Sequence, residues 1–312
     1  MRVALVEPSR TIRRIVTETI AAWGHEVSAF VDAQEALNAL AANKDIRALI
    51  TSTEFPTSSG IQLVRDARKL AGTRRPLYIV VMSSTEERTK LVAALDSGAD
   101  DFISKPPAMD ELRARLRAAD RITSMQADLL QLATTDPLTG LQNRRAFVER
   151  LENSMRGTRN KVRTSVVIAD LDEFKAINDS FGHEIGDRVL KTVSNELNTL
   201  NLPVGRLGGE EFAVLLNGSL EDAIDVAEYL RKSIGNLAVG VGSEVVKVTC
   251  SFGVAEWEPG DTVDSILRRA DMALYEAKRT GRDRVSAADE FQISEAHRQW
   301  RGIARQLARQ SE

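Results

Sequence analysis

Carboxylates stand at two points where the sequence predicts that a β-strand ends. The apolar run VVIAD ends at Asp170, and a second apolar run leads through a glycine pair at 208–209 into Glu210 and Glu211. The glycines favour a tight hairpin turn because they lack a Cβ and adopt positive φ angles. Carboxylates at neighbouring strand ends can share divalent cations, and Mg²⁺ combines such hard oxygens with nucleotide phosphates. The pattern predicts phosphoryl-transfer chemistry supported by metal ions.

Each of these motifs alone is a weak signal. A glutamate pair in a turn is usually solvated, and an acid after a strand is more often a cap or loop residue. We expect Asp172 to be such a cap, for a helix that begins at Glu173. Asp136 and Asn143 likewise have side chains that cap and brace a turn and a helix start. It is the combination of Asp170 with the glutamate hairpin that indicates a site.

The composition limits the classes of protein that fit. The chain has 312 residues, 43% apolar and 28% charged, which suits two globular domains. Its formal charge of −3 offers no basic field, so we expect a small ligand and no nucleic acid. We expect no membrane partner and a cytoplasmic location, because no run approaches a membrane span and no signal-peptide pattern is present. The lone Cys250 is interpreted as a small buried residue without a function.

Alternating β-rich and helical runs predict an α/β fold throughout. From residue 2 to about 117, the runs VALV, ALIT, YIVVM and DFIS alternate with helical stretches, which predicts a parallel sheet wrapped by helices. Residues 134–287 alternate again, with a helical stretch up to Leu200, the glutamate hairpin, and a helix over 263–279. The sequence therefore predicts a second α/β domain after the first.

Two amphipathic segments flank the second domain. Residues 108–133 place apolar side chains at spacings of three and four, with charges between them. Their position between two domains favours a linking and dimerisation helix. An ordinary surface helix packed on its own domain fits the same periodicity. Residues 288–312 predict a docked amphipathic helix whose arginines lie off the apolar face.

Four motifs of the second domain resemble the signatures of GGDEF diguanylate cyclases. They are TTDPLTGLQNRRAF at 134–147, DLDEFKAINDSFGHEIGD at 170–187, GGEEF at 208–212 and ADMALYEAKRTGRDRV at 270–285. The resemblance covers 134–287 and implies an α/β domain related to palm-type nucleotide cyclases. It implies an enzyme that condenses two GTP molecules into cyclic di-GMP and two pyrophosphates. A homodimer is expected, because the symmetric product requires two domains that face each other.

The resemblance also assigns catalytic and metal-binding roles. Asp170, the Leu171 carbonyl and Glu210 would hold two Mg²⁺ ions per active site, with Mn²⁺ as an alternative. Glu210 would accept the proton of the attacking 3′-hydroxyl, Glu211 would play a supporting acidic role, and Lys175 would offset developing charge.

The same resemblance implies the contacts to GTP. Asn178, His183 and Asp187 occupy its guanine-binding motif, in which an amide and a carboxylate read a donor edge that adenine lacks. Lys278 and Arg282 would bind phosphate. Taken singly, each of these cations would more often lie on a solvated helix face.

Residues 1–120 resemble the receiver domain of response regulators, a flavodoxin-like (βα)5 fold. The resemblance includes the turn PTSSG at 56–60 and the run GADDFISKP at 98–106. Ser52 stands at the phosphoacceptor position, and a hydroxyl without an adjacent base is a weak nucleophile. The paired acids that hold Mg²⁺ in receivers are reduced to Glu7 followed by Pro8, which has no side-chain oxygen.

Other receiver positions are filled. Ser83 and Phe102 stand at the switch hydroxyl and switch aromatic positions, and Lys105 is retained before Pro106. We therefore predict a pseudo-receiver that serves dimerisation or a protein partner. In this hypothesis Lys105 pairs with Glu7 in place of a phosphoaspartate.

One control motif of the family is missing. Its product-inhibition motif RxxD is expected within 195–203, where NELNTLNLP contains neither Arg nor Asp. We expect no inhibition through that site, because Thr199, Asn201 and Leu202 cannot clamp a guanine base and a phosphate.

Two alternative functions stay open. One is a scaffold that binds GTP or cyclic di-GMP without turnover, which the filled catalytic motifs disfavour. The other is a regulator driven by phosphorylation, which Ser52 and Pro8 disfavour.

Overall fold

The computed structural model describes residues 1–55, 59–84, 88–157, 163–241 and 244–288. Within it the chain divides into two compact units, Met1–Gln131 and Leu132–Glu312. Most of the predicted PTSSG turn and residues 289–312 of the predicted tail helix lie outside the described residues.

The first unit is built on a parallel five-stranded sheet with the strand order β2-β1-β3-β4-β5. Its elements are β1 (Arg2–Val6), α1 (Arg10–Ala22), β2 (Glu26–Phe30), α2 (Ala33–Ala42), β3 (Ile46–Ser52), α3 (Gly60–Ala71), β4 (Tyr78–Ser83), α4 (Arg88–Asp96), β5 (Asp101–Ser104) and α5 (Met109–Thr134).

Helices cover both faces of this sheet. Alternate residues of the central strands pack into two separate apolar clusters, with Val3 and Leu5 on one side and Ala4 and Val6 on the other. Helices α1 and α5 contribute to the first cluster, and α2 and α3 to the second. Because both faces are buried, β1 and β3 contain the unbroken apolar runs VALV and ALI and do not alternate.

Helix α5 changes character along its length. Leu112, Leu116 and Ala119 are fully buried in the first unit. Further along, Leu129 is 63% exposed and Leu132 is 73% exposed. The second half of the helix thus carries an apolar stripe that is not covered within the chain as described.

The second unit contains a six-stranded sheet with the order β13-β12-β7-β9-β8-β6, and a separate two-stranded ribbon of β10 and β11. Its elements are β6 (Gln142–Asn143), α6 (Arg144–Gly157), β7 (Ser165–Leu171), α7 (Phe174–Phe181), α8 (His183–Asn198), β8 (Val204–Gly208), β9 (Glu211–Leu216), α9 (Leu220–Gly235), β10 (Val239–Val241), β11 (Glu244–Val246), β12 (Cys250–Glu256), α10 (Val263–Arg279) and β13 (Val285–Ala287).

The central strand β7 is antiparallel to both of its neighbours, β9 and β12. All seven of its residues are buried. Helices α7, α8 and α9 cover one face of the sheet, and α6 and α10 cover the other. This arrangement delivers the carboxyl end of β7 to the edge where the β8–β9 hairpin turns.

Helix α10 lies unusually close to strand β12. A Cβ added to Gly253 would lie 2.0 Å from the Ala270 carbonyl oxygen and 2.3 Å from the Leu274 backbone nitrogen. Only a glycine fits at this position without a shift of the helix. The helix begins with a capping box at Thr262, whose hydroxyl accepts from the Ser265 N–H while the Ser265 hydroxyl accepts from the Thr262 N–H.

Two local predictions are corrected by the structure. The single helical stretch up to Leu200 is two helices, because Gly182 has a φ of 84° and separates α7 from α8. Asp172 does not cap α7. Glu173 is the residue before that helix, it has a φ of 57°, and it makes no side-chain cap bond.

No helix among the described residues combines the length and apolar character that a membrane span requires. Cys250 is a free and fully buried thiol, as its sequence context predicts.

Candidate active site

Asp170 lies at the centre of the sheet edge. It stands opposite Glu211 on β9 and opposite Ser251 on β12. The backbone N–H of Leu171 donates to the Glu210 carbonyl oxygen at 3.4 Å. The register therefore brings the strand-end carboxylate beside the two glutamates of the hairpin, as the sequence predicts.

A cation from α10 contacts this carboxylate. Lys278 Nζ lies 2.6 Å from Asp170 Oδ1, and the Asp170 side chain is 7% exposed. Burial raises the pKa of Asp170 to about 6, Lys278 opposes that rise, and Glu210 and Glu211 add to it. The site thus concentrates negative charge in a partly dry position, where a cation is strongly favoured.

The glutamate turn is held by one arginine. Gly209 has a φ of 51°, in the left-handed region that glycine adopts without strain. Arg206 donates to the Gly209 carbonyl from Nε at 2.9 Å and from Nη2 at 2.7 Å. Its Nη1 lies 3.0 Å from Asp136 Oδ1, in the motif that opens the second domain. The sequence interpretation missed this bridge. The presence of an acid in one motif and an arginine in another was the signal that could have indicated it.

Asp136 is also bonded within its own turn. Its Oδ1 accepts from the Thr139 backbone N–H at 2.9 Å and from the Thr139 hydroxyl at 2.7 Å. Burial raises the pKa of Asp136, but the bonds from Thr139 and Arg206 outweigh it and lower the pKa below its ordinary value. The bridge therefore depends on an ionised carboxylate.

Helices α7 and α8 carry the residues expected to read guanine. Asn178 is half-buried, and a Cβ added to Gly186 would lie 1.9 Å from its Oδ1. His183 and Asp187 are exposed one turn apart on α8. The bare backbone at Gly186 thus makes room for the Asn178 amide, a role that sequence reasoning did not assign.

The remaining predicted cations lie at the surface. Lys175 is exposed on α7. Arg282 follows α10 and has a φ of 58°, and its Nε lies 3.7 Å from Glu173 Oε1. The exposed ends of both side chains are available to an anionic ligand.

The residues present fit a divalent cation. Asp170 Oδ1 is a buried oxygen, and Lys278 Nζ forms an ion pair with it at 2.6 Å. No group of three or more His, Cys, Asp or Glu side chains with metal-site geometry occurs in the part of the chain that the structure describes. One or two carboxylates completed by substrate phosphates form a donor set typical of hard divalent cations, and this set differs from an all-protein cage.

Comparison with known proteins identifies both domains. A family model described as the GGDEF domain of diguanylate cyclases matches residues 133–284, and the response regulator receiver domain model matches residues 3–117. The coiled-coil and GGDEF region of DgcB from Caulobacter crescentus, solved in complex with c-di-GMP, is 30% identical and aligns with a TM-score of 0.54. That alignment covers 57% of this chain and 98% of that chain. The chain belongs to the GGDEF family.

Two curated relatives match the chain over different lengths. The response regulator PleD of Caulobacter vibrioides is 33% identical over 301 residues, which are 91% of this chain and 65% of PleD. The diguanylate cyclase DgcP of Pseudomonas aeruginosa is 41% identical over 194 residues, 57% of this chain and 29% of DgcP. The chain therefore spans less than two thirds of either relative. The α/β architecture of a receiver domain followed by a GGDEF domain is confirmed.

In the GGDEF domain, the segment expected to carry RxxD makes structural contacts. Thr199 ends α8, and its hydroxyl donates to the Glu196 carbonyl at 2.7 Å. Leu202 packs against the apolar core. Neither side chain is placed as a charged clamp.

The receiver domain contains a closed polar cluster at its expected phosphorylation site. Lys105 Nζ lies 2.6 Å from Glu7 Oε2, and Lys105 donates to Ser52 Oγ at 2.6 Å. The Ser9 backbone N–H donates to Glu7 Oε1 at 2.9 Å. The predicted pairing of Lys105 with Glu7 is present, and Ser52 is buried at the end of β3.

Proposed function

We propose that the chain is a diguanylate cyclase that condenses two GTP molecules into cyclic di-GMP and releases two pyrophosphates. The observation that carries this proposal is the position of Asp170 beside the glutamate hairpin, with Lys278 Nζ at 2.6 Å from its carboxylate. A buried acid, two turn glutamates and a cation at one sheet edge provide the charged groups that phosphoryl transfer uses.

Asp170, Glu210 and the Leu171 carbonyl would hold the divalent ions, two Mg²⁺ or Mn²⁺ per site. When bound, such ions neutralise the triphosphate and favour ionisation of the attacking hydroxyl. Lys278 would leave Asp170 for a phosphate oxygen on binding, since an ammonium and a metal ion compete for the same carboxylate.

The chemical step is an in-line substitution at the α-phosphorus. The 3′-oxygen of one GTP forms a bond to the α-phosphorus of the other, and the bond from that phosphorus to the bridging oxygen of pyrophosphate breaks. Glu210 accepts the proton of the 3′-hydroxyl as a general base, and Glu211 adds a second carboxylate beside it. Lys175, Lys278 and Arg282 bind the phosphates and offset the charge of the leaving group.

Guanine recognition falls to α7 and α8. The Asn178 amide and the Asp187 carboxylate would pair with the guanine edge that carries ring and exocyclic N–H donors. His183 lies one turn before Asp187 and would line the same cleft. Adenine presents a different donor pattern, so the two acceptors would leave it poorly matched.

A homodimer completes the reaction, because each domain binds one GTP and the two must face each other. The exposed apolar stripe of α5 supports this assembly. Its members recur at spacings of three, four and three, as along a two-stranded coiled coil. They are Ile122, Met125, Leu129 and Leu132. The receiver domain would add self-association or a protein partner, with Ser52 as an inactive phosphoacceptor position.

The test is incubation of the protein with GTP and Mg²⁺, followed by quantitation of cyclic di-GMP and pyrophosphate. Wild type is expected to form both, and Glu210→Ala is expected to form neither. Glu221→Ala, an exposed glutamate on α9, is the matched control and is expected to retain activity. GTP binding by wild type without product, at concentrations that permit dimers, would favour the scaffold alternative.

A further inference from the structure

Asp172 lies two residues beyond the strand-end acid and takes part in a buried network. The side chain is buried, its Oδ1 accepts from the Ser251 hydroxyl at 2.7 Å, and its Oδ2 accepts from the Thr249 hydroxyl at 2.8 Å. Its Oδ2 also accepts from the backbone N–H of Asp283 at 3.0 Å. Three donors thus converge on one carboxylate.

The third donor belongs to the segment that follows α10. Arg282 and Asp283 have φ angles of 58° and 44°, so two consecutive non-glycine residues are left-handed. Such residues are strained and persist where surrounding contacts hold them. Without those contacts, the segment would relax towards ordinary backbone angles.

Contacts on both sides of Asp283 also hold this segment. The Arg282 N–H donates to the Ala277 carbonyl at 3.1 Å, and the Arg284 carbonyl accepts from the Phe252 N–H at 2.9 Å. Arg231 Nη1 lies 3.0 Å from Asp283 Oδ1, on a side chain that is 45% exposed. The bond from the Asp283 N–H ties the segment to a buried carboxylate, that of Asp172, and holds the backbone beside Arg282.

We propose that Asp172 is a positioning residue for Arg282. It holds the backbone of 281–284 in the left-handed form that presents the Arg282 guanidinium to the triphosphate. This inference rests on the proposed function, because it assumes that Arg282 binds GTP phosphates. In this proposal Asp172 acts through the backbone and is not itself a ligand of the nucleotide or the metal ions.

The test compares steady-state kinetics of Asp172→Ala and Asp172→Asn with Asp225→Asn as the matched control. Asp225 is exposed on α9. Asp172→Ala is expected to raise the KM for GTP on the order of tenfold, with a smaller fall in kcat. Asp172→Asn keeps one acceptor oxygen for the Asp283 N–H, so it is expected to raise the KM only about threefold. Asp225→Asn is expected to match wild type.

A double-mutant cycle with Arg282→Ala separates positioning from a general loss of structure. The affinity for guanosine 5′-(α,β-methylene)triphosphate with Mg²⁺ is measured for wild type, each single variant and the double variant. If Asp172 acts through Arg282, the Asp172 substitution has little further effect once Arg282 is gone. Partial unfolding would instead lower the active fraction at an unchanged KM.

The outcomes decide the two proposals separately. Wild type that forms no cyclic di-GMP contradicts the proposed function. Active wild type with an unchanged KM in the Asp172 variants, or with additive effects in the cycle, overturns the positioning role. If Asp172→Ala fails to fold, the same cycle with Asp172→Asn distinguishes coupled from additive effects.

Discussion

Lys105 Nζ lies 2.6 Å from Glu7 Oε2, inside a receiver domain where Glu7 is 1% exposed. The ammonium also reaches Ser52 Oγ at 2.6 Å. The polar groups that would otherwise surround a metal ion and a phosphoryl group therefore satisfy one another. A buried pair of this kind is costly to break from one side, because the remaining charge has no partner.

Removal of the lysine alone is predicted to destabilise the receiver domain. Lys105→Met leaves the Glu7 carboxylate buried and unpaired, and we expect a loss of about 3–5 kcal/mol. The double variant Glu7→Gln/Lys105→Met removes both charges and is expected to recover most of that loss. Calorimetry of the full chain measures the unfolding transition of the receiver domain in each of the two variants and in wild type. A double variant no more stable than Lys105→Met would contradict this account.

Phosphoryl donors are predicted to have no effect. Ser52 lacks the carboxylate that accepts a phosphoryl group, and Lys105 is already paired. Treatment with acetyl phosphate or beryllofluoride with Mg²⁺ should leave both the rate of cyclic di-GMP formation and the oligomeric state unchanged. A clear change in either quantity would contradict this prediction and show that the receiver domain still responds to phosphoryl donors.

Gly186→Ala is predicted to weaken GTP binding. The added Cβ would lie 1.9 Å from Asn178 Oδ1 and would displace the amide that we assign to guanine. We expect the KM for GTP to rise on the order of tenfold, the effect of one misplaced hydrogen-bonding group. Gly235→Ala is the control, since a Cβ there meets nothing within 4 Å. Equal KM values for the two variants would argue against guanine reading by Asn178.

Asp136 is predicted to stabilise the GGDEF domain in a pH-dependent way. Its pKa is lowered on folding below the ordinary 3.8, so its contribution is complete at neutral pH and is lost as pH falls through the folded value. Asp136→Asn should cost roughly 1–2 kcal/mol at pH 7, and progressively less below about pH 4. Unfolding is followed by calorimetry across this range. A loss of unfolding free energy that stays the same in acid would contradict the predicted pH dependence.

Cyclic di-GMP is predicted not to inhibit through the RxxD position. Thr199 caps a helix end and Leu202 packs on the core, so neither offers a charge to the product. Initial rates should therefore stay constant as product is added at concentrations well below that of GTP. Strong inhibition at low product concentrations would show this prediction to be wrong.

Local patterns in the sequence were sufficient for the main features of the candidate site. The apolar run before Asp170 and the glycines before Glu210 predict a strand end and a hairpin, and the sheet register places them side by side. The helix over Val263–Arg279 was predicted with its observed bounds. Such features depend on neighbours within a few residues, which is why a single sequence reveals them.

Features that depend on distant side chains were missed. Asp172 has the type and position of a helix cap. Its buried carboxylate instead accepts hydrogen bonds from the Thr249 and Ser251 hydroxyls, about eighty residues later. Arg206 meets Asp136 across a separation of seventy residues. Since no local pattern encodes either encounter, only the folded sheet could reveal them.

The close packing at Gly253 extends to the far end of α10. Eight residues separate Ala270 from Lys278, which is about 12 Å along a helix. A methyl group on Gly253 would press on the Ala270 carbonyl and tilt or lift the helix, carrying the Lys278 ammonium away from its carboxylate. In a screen for lost activity, substitution of Gly253 would therefore lower activity as substitution of a proposed nucleotide-binding residue does, although Gly253 lies in the interior and contacts no nucleotide.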